Sequence, residues 1–157
     1  MSSSPQPQRP LSSTLARSDV EIKERFQTLA RPKDVADLLE IEWTTLHYIT
    51  SRGLQSYSYR QFTVPKKAGG IRTIQAPHNT VKLLQRKLLH ILDLEYNAHP
   101  AAHGFVKQRS IATNAAPHVG KRLVLNLDLL DFFPSITFPR VRGIFVKRFK
   151  LPPNVAT

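Results

Sequence analysis

Two aspartates stand three residues apart in the stretch LVLNLDLLDFFPSI, at Asp128 and Asp131. Asp128 closes an apolar run, where a carboxylate is costly to bury unless it meets a cation, a hydrogen-bonded turn or a metal ion. A hard divalent ion such as Mg²⁺ takes one or two carboxylates together with substrate phosphates, which is the chemistry of phosphoryl or nucleotidyl transfer. On that reading the stretch supplies half of a two-metal site. The alternative is a turn-capping aspartate, which suits Asp131, ahead of the break at Phe132-Phe133-Pro134, better than Asp128, which has no helix to cap.

The surrounding charge agrees with a phosphate-bearing partner. Residues 1–42 hold six basic and seven acidic residues, whereas residues 43–157 hold seventeen basic and only four acidic ones: Asp93, Glu95, Asp128 and Asp131. Clustered Lys and Arg favour a polyanion, nucleic acid first, because binding releases condensed counterions. The 157 residues contain no cysteine, which excludes a disulfide framework, a thiolate zinc site and a cysteine nucleophile. There is no HExxH pair for a zinc hydrolase and no GxxxxGK[ST] loop for ATP. No apolar run reaches the roughly 18 residues of a membrane span, and MSSSPQPQRP lacks the apolar core of a signal peptide, so the expectation is a soluble, cytoplasmic protein without a membrane partner.

The elements that must position these residues change character along the chain. Residues 1–18, rich in Ser, Pro, Gln and Arg, read as a disordered arm. Ser18 and Asp19 cap a helix to about Leu29 with Val20, Phe26 and Leu29 inward; Pro32 opens a second, with Val35, Leu38, Leu39 and Ile41 as its stripe. A third runs from Trp43 to Ser51 and stops at Arg52-Gly53. From Tyr57 the pattern alternates on both sides of Ala68-Gly69-Gly70, which predicts a hairpin projecting Lys66, Lys67 and Arg72. Thr80 to Tyr96 reads as an amphipathic helix with Lys82, Arg86 and Lys87 as a basic flank. Ser110 caps a short helix. Arg122 to Asp128 reads as a strand with Asn126 and Asp128 on one face and Leu123, Leu125 and Leu127 on the other. Phe138 to Phe149 closes with a basic helix. The class is α+β.

In that setting the residues resemble a known family. FxVPKKxGGxRxI at Phe62 to Ile74, PxxxxKxxQR from Pro77, HGFVxxRSI from His103, NAxxH at Asn114 to His118 and LDLxDFFPSI at Leu127 to Ile136 follow one another as in bacterial reverse transcriptases of the retron type, within the wider group that includes group II intron enzymes. The resemblance covers about 32–157. It implies the fingers and part of the palm of a right-hand polymerase behind N-terminal helices: an arm over 1–18, a helical region over 19–54, fingers over 55–121, and an incomplete palm over 122–157. It implies that Asp128 is the first catalytic aspartate and, with the Leu129 carbonyl, a ligand of Mg²⁺. Asp131, Phe132 and Phe133 would contact the incoming deoxynucleotide, Phe133 as the gate against a ribose 2′-hydroxyl. Lys66 or Lys67, with Arg72, would clamp the triphosphate. Arg109, Asn114, His118, Lys82 and Arg86 would hold RNA, Asn114 and His118 from one face if their helix runs through.

The family's YxDD hairpin and QGxxxSP stretch are absent from these residues. The absence fits a split enzyme, a truncated or degenerate copy, or a non-catalytic chain; the expectation is the split enzyme, inactive alone, in which a second polypeptide supplies the rest of the palm and the thumb. The resemblance also implies a structured noncoding RNA, its cDNA, and a defence effector in antiphage immunity. Two other classes compete: a noncatalytic RNA-binding subunit, and a helix-turn-helix regulator built on Asp34 to Leu54, whose recognition helix would be mostly apolar.

Overall fold

A computed structural model describes residues 12–51, 59–67 and 69–157. Most of the expected arm, the Arg52-Gly53 stop, Tyr57 and Ala68 lie outside them. Among the described residues the chain is α+β, with seven α-helices and one two-stranded sheet. No described helix is long and apolar enough to cross a membrane.

The first helix, α1 (Asp19–Gln27), begins as its sequence dictates: the Ser18 hydroxyl accepts from Glu21 N at 3.4 Å, and the Glu21 carboxylate accepts from Ser18 N at 3.1 Å. It buries Ile22 and Phe26, while the expected inward Val20 is 66% exposed. The core lies one step round the helix because Ile22, Phe26 and Leu29 are spaced four and three apart, and Val20 falls off that stripe. In α2 (Pro32–Leu38), proline occupies the first turn, where its missing N–H costs nothing, and the Asp34 carboxylate accepts from Ala30 N and Arg31 N at 3.0 and 2.8 Å. Those bonds hold the Asp34 carboxyl below its ordinary range. The helix ends in a Schellman turn, Ile41 N to Ala36 O and Glu40 N to Asp37 O, both 3.0 Å, with Glu40 at φ 51. Helix α3 (Trp43–Ser51) packs beside α2. Its Leu46 rests on the core and Trp43 stacks on His47, while Tyr48 is 56% exposed.

Strands β1 (Tyr59–Pro65) and β2 (Ile71–Pro77) form an antiparallel hairpin, Tyr59 opposite Pro77 and Pro65 opposite Ile71. Gly69 and Gly70 turn it at φ 87 and 86, backbone that a side chain would resist. The hairpin leads into α4 (Asn79–Glu95), tied back where Gln85 Nε2 donates to the Tyr59 hydroxyl at 2.6 Å. Helix α4 buries Val81, Leu84, Lys87 and Ile91. Lys87 is therefore not part of a basic flank: it sits on the buried stripe, three residues from Leu84 and four from Ile91, and leaves Lys82 and Arg86 outside.

Beyond a loop, α5 (Ile111–Ala115) is capped by Ser110 and tightens into a 3₁₀ turn at Ala116–His118, where Pro117 stops the α-helical pattern. The α-helix does not run through from Asn114 to His118. The expected strand over Arg122 to Asp128 is not formed: residues 122–130 have no strand structure and are exposed. A strand leaves its backbone groups open until a neighbour pairs with them, and among the described residues no third strand exists to do so. Helices α6 (Phe132–Ser135) and α7 (Phe138–Lys147) follow.

The core joins distant parts of the chain. Ile22, Phe26, Leu29, Leu38, Leu39, Ile91 and Leu151 pack together, with Phe145 and Phe149 against them. Phe149 meets Phe26 edge to face at 5.4 Å, and Asn154 Nδ2 donates to Ala30 O at 3.1 Å. Residues 145–155 thus dock on the first helix, and 111–140 bridge two anchored ends.

Candidate nucleotide and nucleic-acid surface

The hairpin tip brings three expected residues together. Lys66, Lys67 and Arg72 line one cleft of about 470 Å³ with Val64 and Pro65. The register explains this: Arg72 lies opposite Val64, and the turn closes through Lys66 N to Gly70 O at 3.0 Å and Gly69 N to Lys66 O at 3.1 Å. All three cations are exposed, and none forms an ion pair among the described residues. Exposed positive charge around a shallow concavity suits a polyphosphate, with the Arg72 guanidinium able to take two oxygens at once.

The aspartate stretch is a second, separate surface. Asp128 is exposed, and its Oδ1 accepts from Leu129 N at 2.9 Å. Asp131 stands at φ 49 ahead of α6 and makes no side-chain capping bond, so the turn-capping alternative gains nothing from the geometry. The turn is held instead by Ser135 N to Asp131 O at 3.0 Å and Ser135 Oγ to Phe132 O at 2.6 Å. Phe132 and Phe133 meet edge to face at 5.3 Å, both largely exposed. None of these residues lines the hairpin-tip cleft. Asp128 and the Leu129 carbonyl are hard oxygens of the kind Mg²⁺ takes, yet the described residues contain no cluster of three acidic or imidazole side chains. They fit one share of a metal site rather than a whole one.

The expected RNA contacts are dispersed. Lys82 and Arg86 are exposed one turn apart on α4. Asn114 and His118 are exposed on the short helix and the 3₁₀ turn. Arg109 is half-buried, its NH1 donating to the carbonyls of His99 at 2.7 Å, Pro100 at 3.0 Å and Ala102. It holds the loop that precedes α5.

One buried polar junction escaped the sequence reading. The Lys87 ammonium, 3% exposed, donates to Leu39 O at 2.8 Å and to Glu40 O at 3.4 Å, capping the end of α2. The Glu40 carboxylate accepts from Ala16 N at 2.8 Å and Arg17 N at 3.0 Å. Burial pushes the Lys87 pKa down, and the Glu40 charge partly restores it. Burial works against the Glu40 charge too, but the two amides and Lys87 prevail and hold its carboxyl below the ordinary value. The available signal was the register of Lys87 between Leu84 and Ile91.

No protein-family model matches the chain. Comparison with curated proteins is more informative. The chain is 49% identical to the retron Mx65 reverse transcriptase of Myxococcus xanthus over 116 residues, which is 73% of this chain and 27% of that protein. It is 45% identical to the retron Ec86 reverse transcriptase of Escherichia coli over 92 residues, 57% of this chain and 28% of that protein. This chain is a relative of the retron reverse transcriptases. A third, the retron Se72 reverse transcriptase of Salmonella heidelberg, matches at 31% over 137 residues, 85% of this chain and 36% of its own length. The chain thus spans about a quarter to a third of these retron relatives.

Proposed function

We propose that this chain forms the fingers and the start of the palm of an RNA-directed DNA polymerase that copies a structured noncoding RNA. The observation that carries the reading is the fingertip cleft, where Lys66, Lys67 and Arg72 converge without acidic partners in a chain related to reverse transcriptases. In this role Lys66 or Lys67 and Arg72 bind and orient the triphosphate, neutralising the charge that builds up as the phosphoryl bond breaks. Phe133, beside Phe132, excludes the ribose 2′-hydroxyl, and the Asp131 backbone lies along the nucleotide. Asp128 and the Leu129 carbonyl would hold Mg²⁺, which supplies charge to the phosphates and acidity to the attacking hydroxyl. Lys82, Arg86, Asn114 and His118 meet the RNA, and Arg109 shapes the loop between them.

The carboxylates of a YxDD hairpin are not among these 157 residues, so on this reading they stand in sequence outside them. Association with the cDNA and with a defence effector against phage belongs to the same proposal. The test is Asp128→Asn in the complete assembly. The expected result is loss of cDNA synthesis with RNA affinity unchanged; retained synthesis overturns the catalytic assignment. Native mass spectrometry of that assembly, with each protein sequenced, shows whether the YxDD residues arrive on a separate chain.

A further inference from the structure

The hairpin is mounted on helix α4. Strand β2 runs into α4 with only His78 between them, and Gln85 Nε2 donates to the Tyr59 hydroxyl at 2.6 Å, so the place of the Lys66, Lys67 and Arg72 tip follows from where α4 lies on the N-terminal helices. The lever is long. Strand β1 has seven residues, about 20 Å, so a turn of about 5° at the hairpin base carries the tip about 2 Å. Val81, Leu84 and Ile91 hold α4 through apolar contacts, which have little directionality. Lys87, on the same buried stripe, is different: its ammonium donates to Leu39 O at 2.8 Å and to Glu40 O at 3.4 Å, and hydrogen bonds hold only within a narrow range of distance and angle. A methionine of similar length would fill that space without desolvating a charge, so stability alone is a weak reason for an ammonium there. The acceptor side is unusual as well. Glu40 stands at φ 51, where glycine is ordinarily found, and that strain is kept together with a carboxylate that accepts from Ala16 N and Arg17 N. The lead into α1, the end of α2 and the middle of α4 thus meet at one polar point.

We infer that Lys87 is a positioning residue: its bonds to Leu39 O and Glu40 O fix the registry of α4 on the N-terminal helices and so hold the hairpin tip in place for the triphosphate. The inference rests on the reading of the tip as a triphosphate clamp. A single buried polar contact on an apolar stripe is the best-attested way to select one register among several of similar energy. A second tie from α4, His90 Nε2 to Asp19 Oδ1 at 3.0 Å, is exposed on both sides, and exposed pairs contribute little.

The test reads a distance and a rate. The chain holds no cysteine, so Lys23→Cys on α1 and Thr73→Cys on β2, both exposed positions, take two spin labels whose separation is measured by double electron-electron resonance. Lys87→Met fills the same space without the donor and is expected to shift or broaden that distance by about 2 Å. Leu84→Ala weakens the same stripe but leaves the lock, and is expected to lower stability with the distance kept. In the complete assembly Lys87→Met is expected to raise the KM for deoxynucleoside triphosphate about tenfold with kcat within about twofold. A fold merely weakened would cut the active fraction, and with it the apparent kcat, and leave KM alone. Should Lys87→Met fail to fold, Lys87→Gln, whose amide falls about one bond short of the two carbonyls, carries the same expectations. An unchanged distance in the Lys87 variant, or an equal change in Leu84→Ala, overturns the inference. A changed distance with an unchanged KM would leave the registry standing and would instead fail the reading of the tip as a triphosphate clamp.

Discussion

Two regions with similar apolar content behave in opposite ways. In the helical core Ile22 and Ile91 are 1% and 0% exposed, whereas in the 111–140 bridge Leu123, Leu125 and Leu127 are 86%, 76% and 85% exposed. Apolar character is therefore not what distinguishes them. A helix satisfies its own backbone and needs only a surface to lean on, which α1, α2, α4 and the 145–155 segment give one another. A strand must find hydrogen-bond partners as well, and residues 122–130 find none among the described residues. The stretch that carries Asp128 has the composition of a buried strand and the exposure of a surface loop.

The sharpest way to break this contrast is to remove one side chain from the core. Ile91→Ala should destabilise the chain by about 2–5 kcal/mol, since a fully buried side chain leaves a cavity among rigid neighbours. Chemical denaturation with a fixed m-value checks it. A cost below about 1 kcal/mol would mean that α4 is not the centre of the core.

A smaller effect should appear at the Glu40 junction, which fastens residues 16 and 17 to α2 and, through Lys87, to α4. The folded Glu40 carboxyl titrates below its ordinary 4.5, so its contribution is fully present above about pH 4.5 and fades as the pH falls through the lower folded value. Glu40→Gln keeps an acceptor oxygen and loses the charge. The difference in melting temperature between the two proteins should therefore narrow as the pH drops below about 4.5. A difference independent of pH would show that the charge does not hold the junction.

Sequence patterning revealed the helices and the hairpin because their determinants are local. The Ser18 and Glu21 capping box, Pro32 in a first turn and Gly69-Gly70 between alternating strands each specify structure within a few residues. The hairpin-tip cations followed from the turn they flank. What patterning could not supply was closure. Leu123, Leu125 and Leu127 alternate as a strand should, but whether a strand forms is decided by a partner that no local rule contains. Lys87 misled in the opposite direction: residue type suggested solvent, while its register and two carbonyls at the end of α2 put it inside.

The smallest expected effect is also the most discriminating. Leu125→Ser changes an apolar side chain that is 76% exposed, so in the 157-residue chain its effect on thermal stability should stay within about 0.5 kcal/mol. The same substitution measured in an assembly that completes the sheet should cost several times more, because a newly covered leucine is worth about 1.5–3 kcal/mol on burial. If both settings give the same small change, residues 122–130 stay a loop even in such an assembly, and Asp128 has no sheet to present it. A large cost in the isolated chain would mean that the bridge already packs against something, and the contrast between the two regions would dissolve.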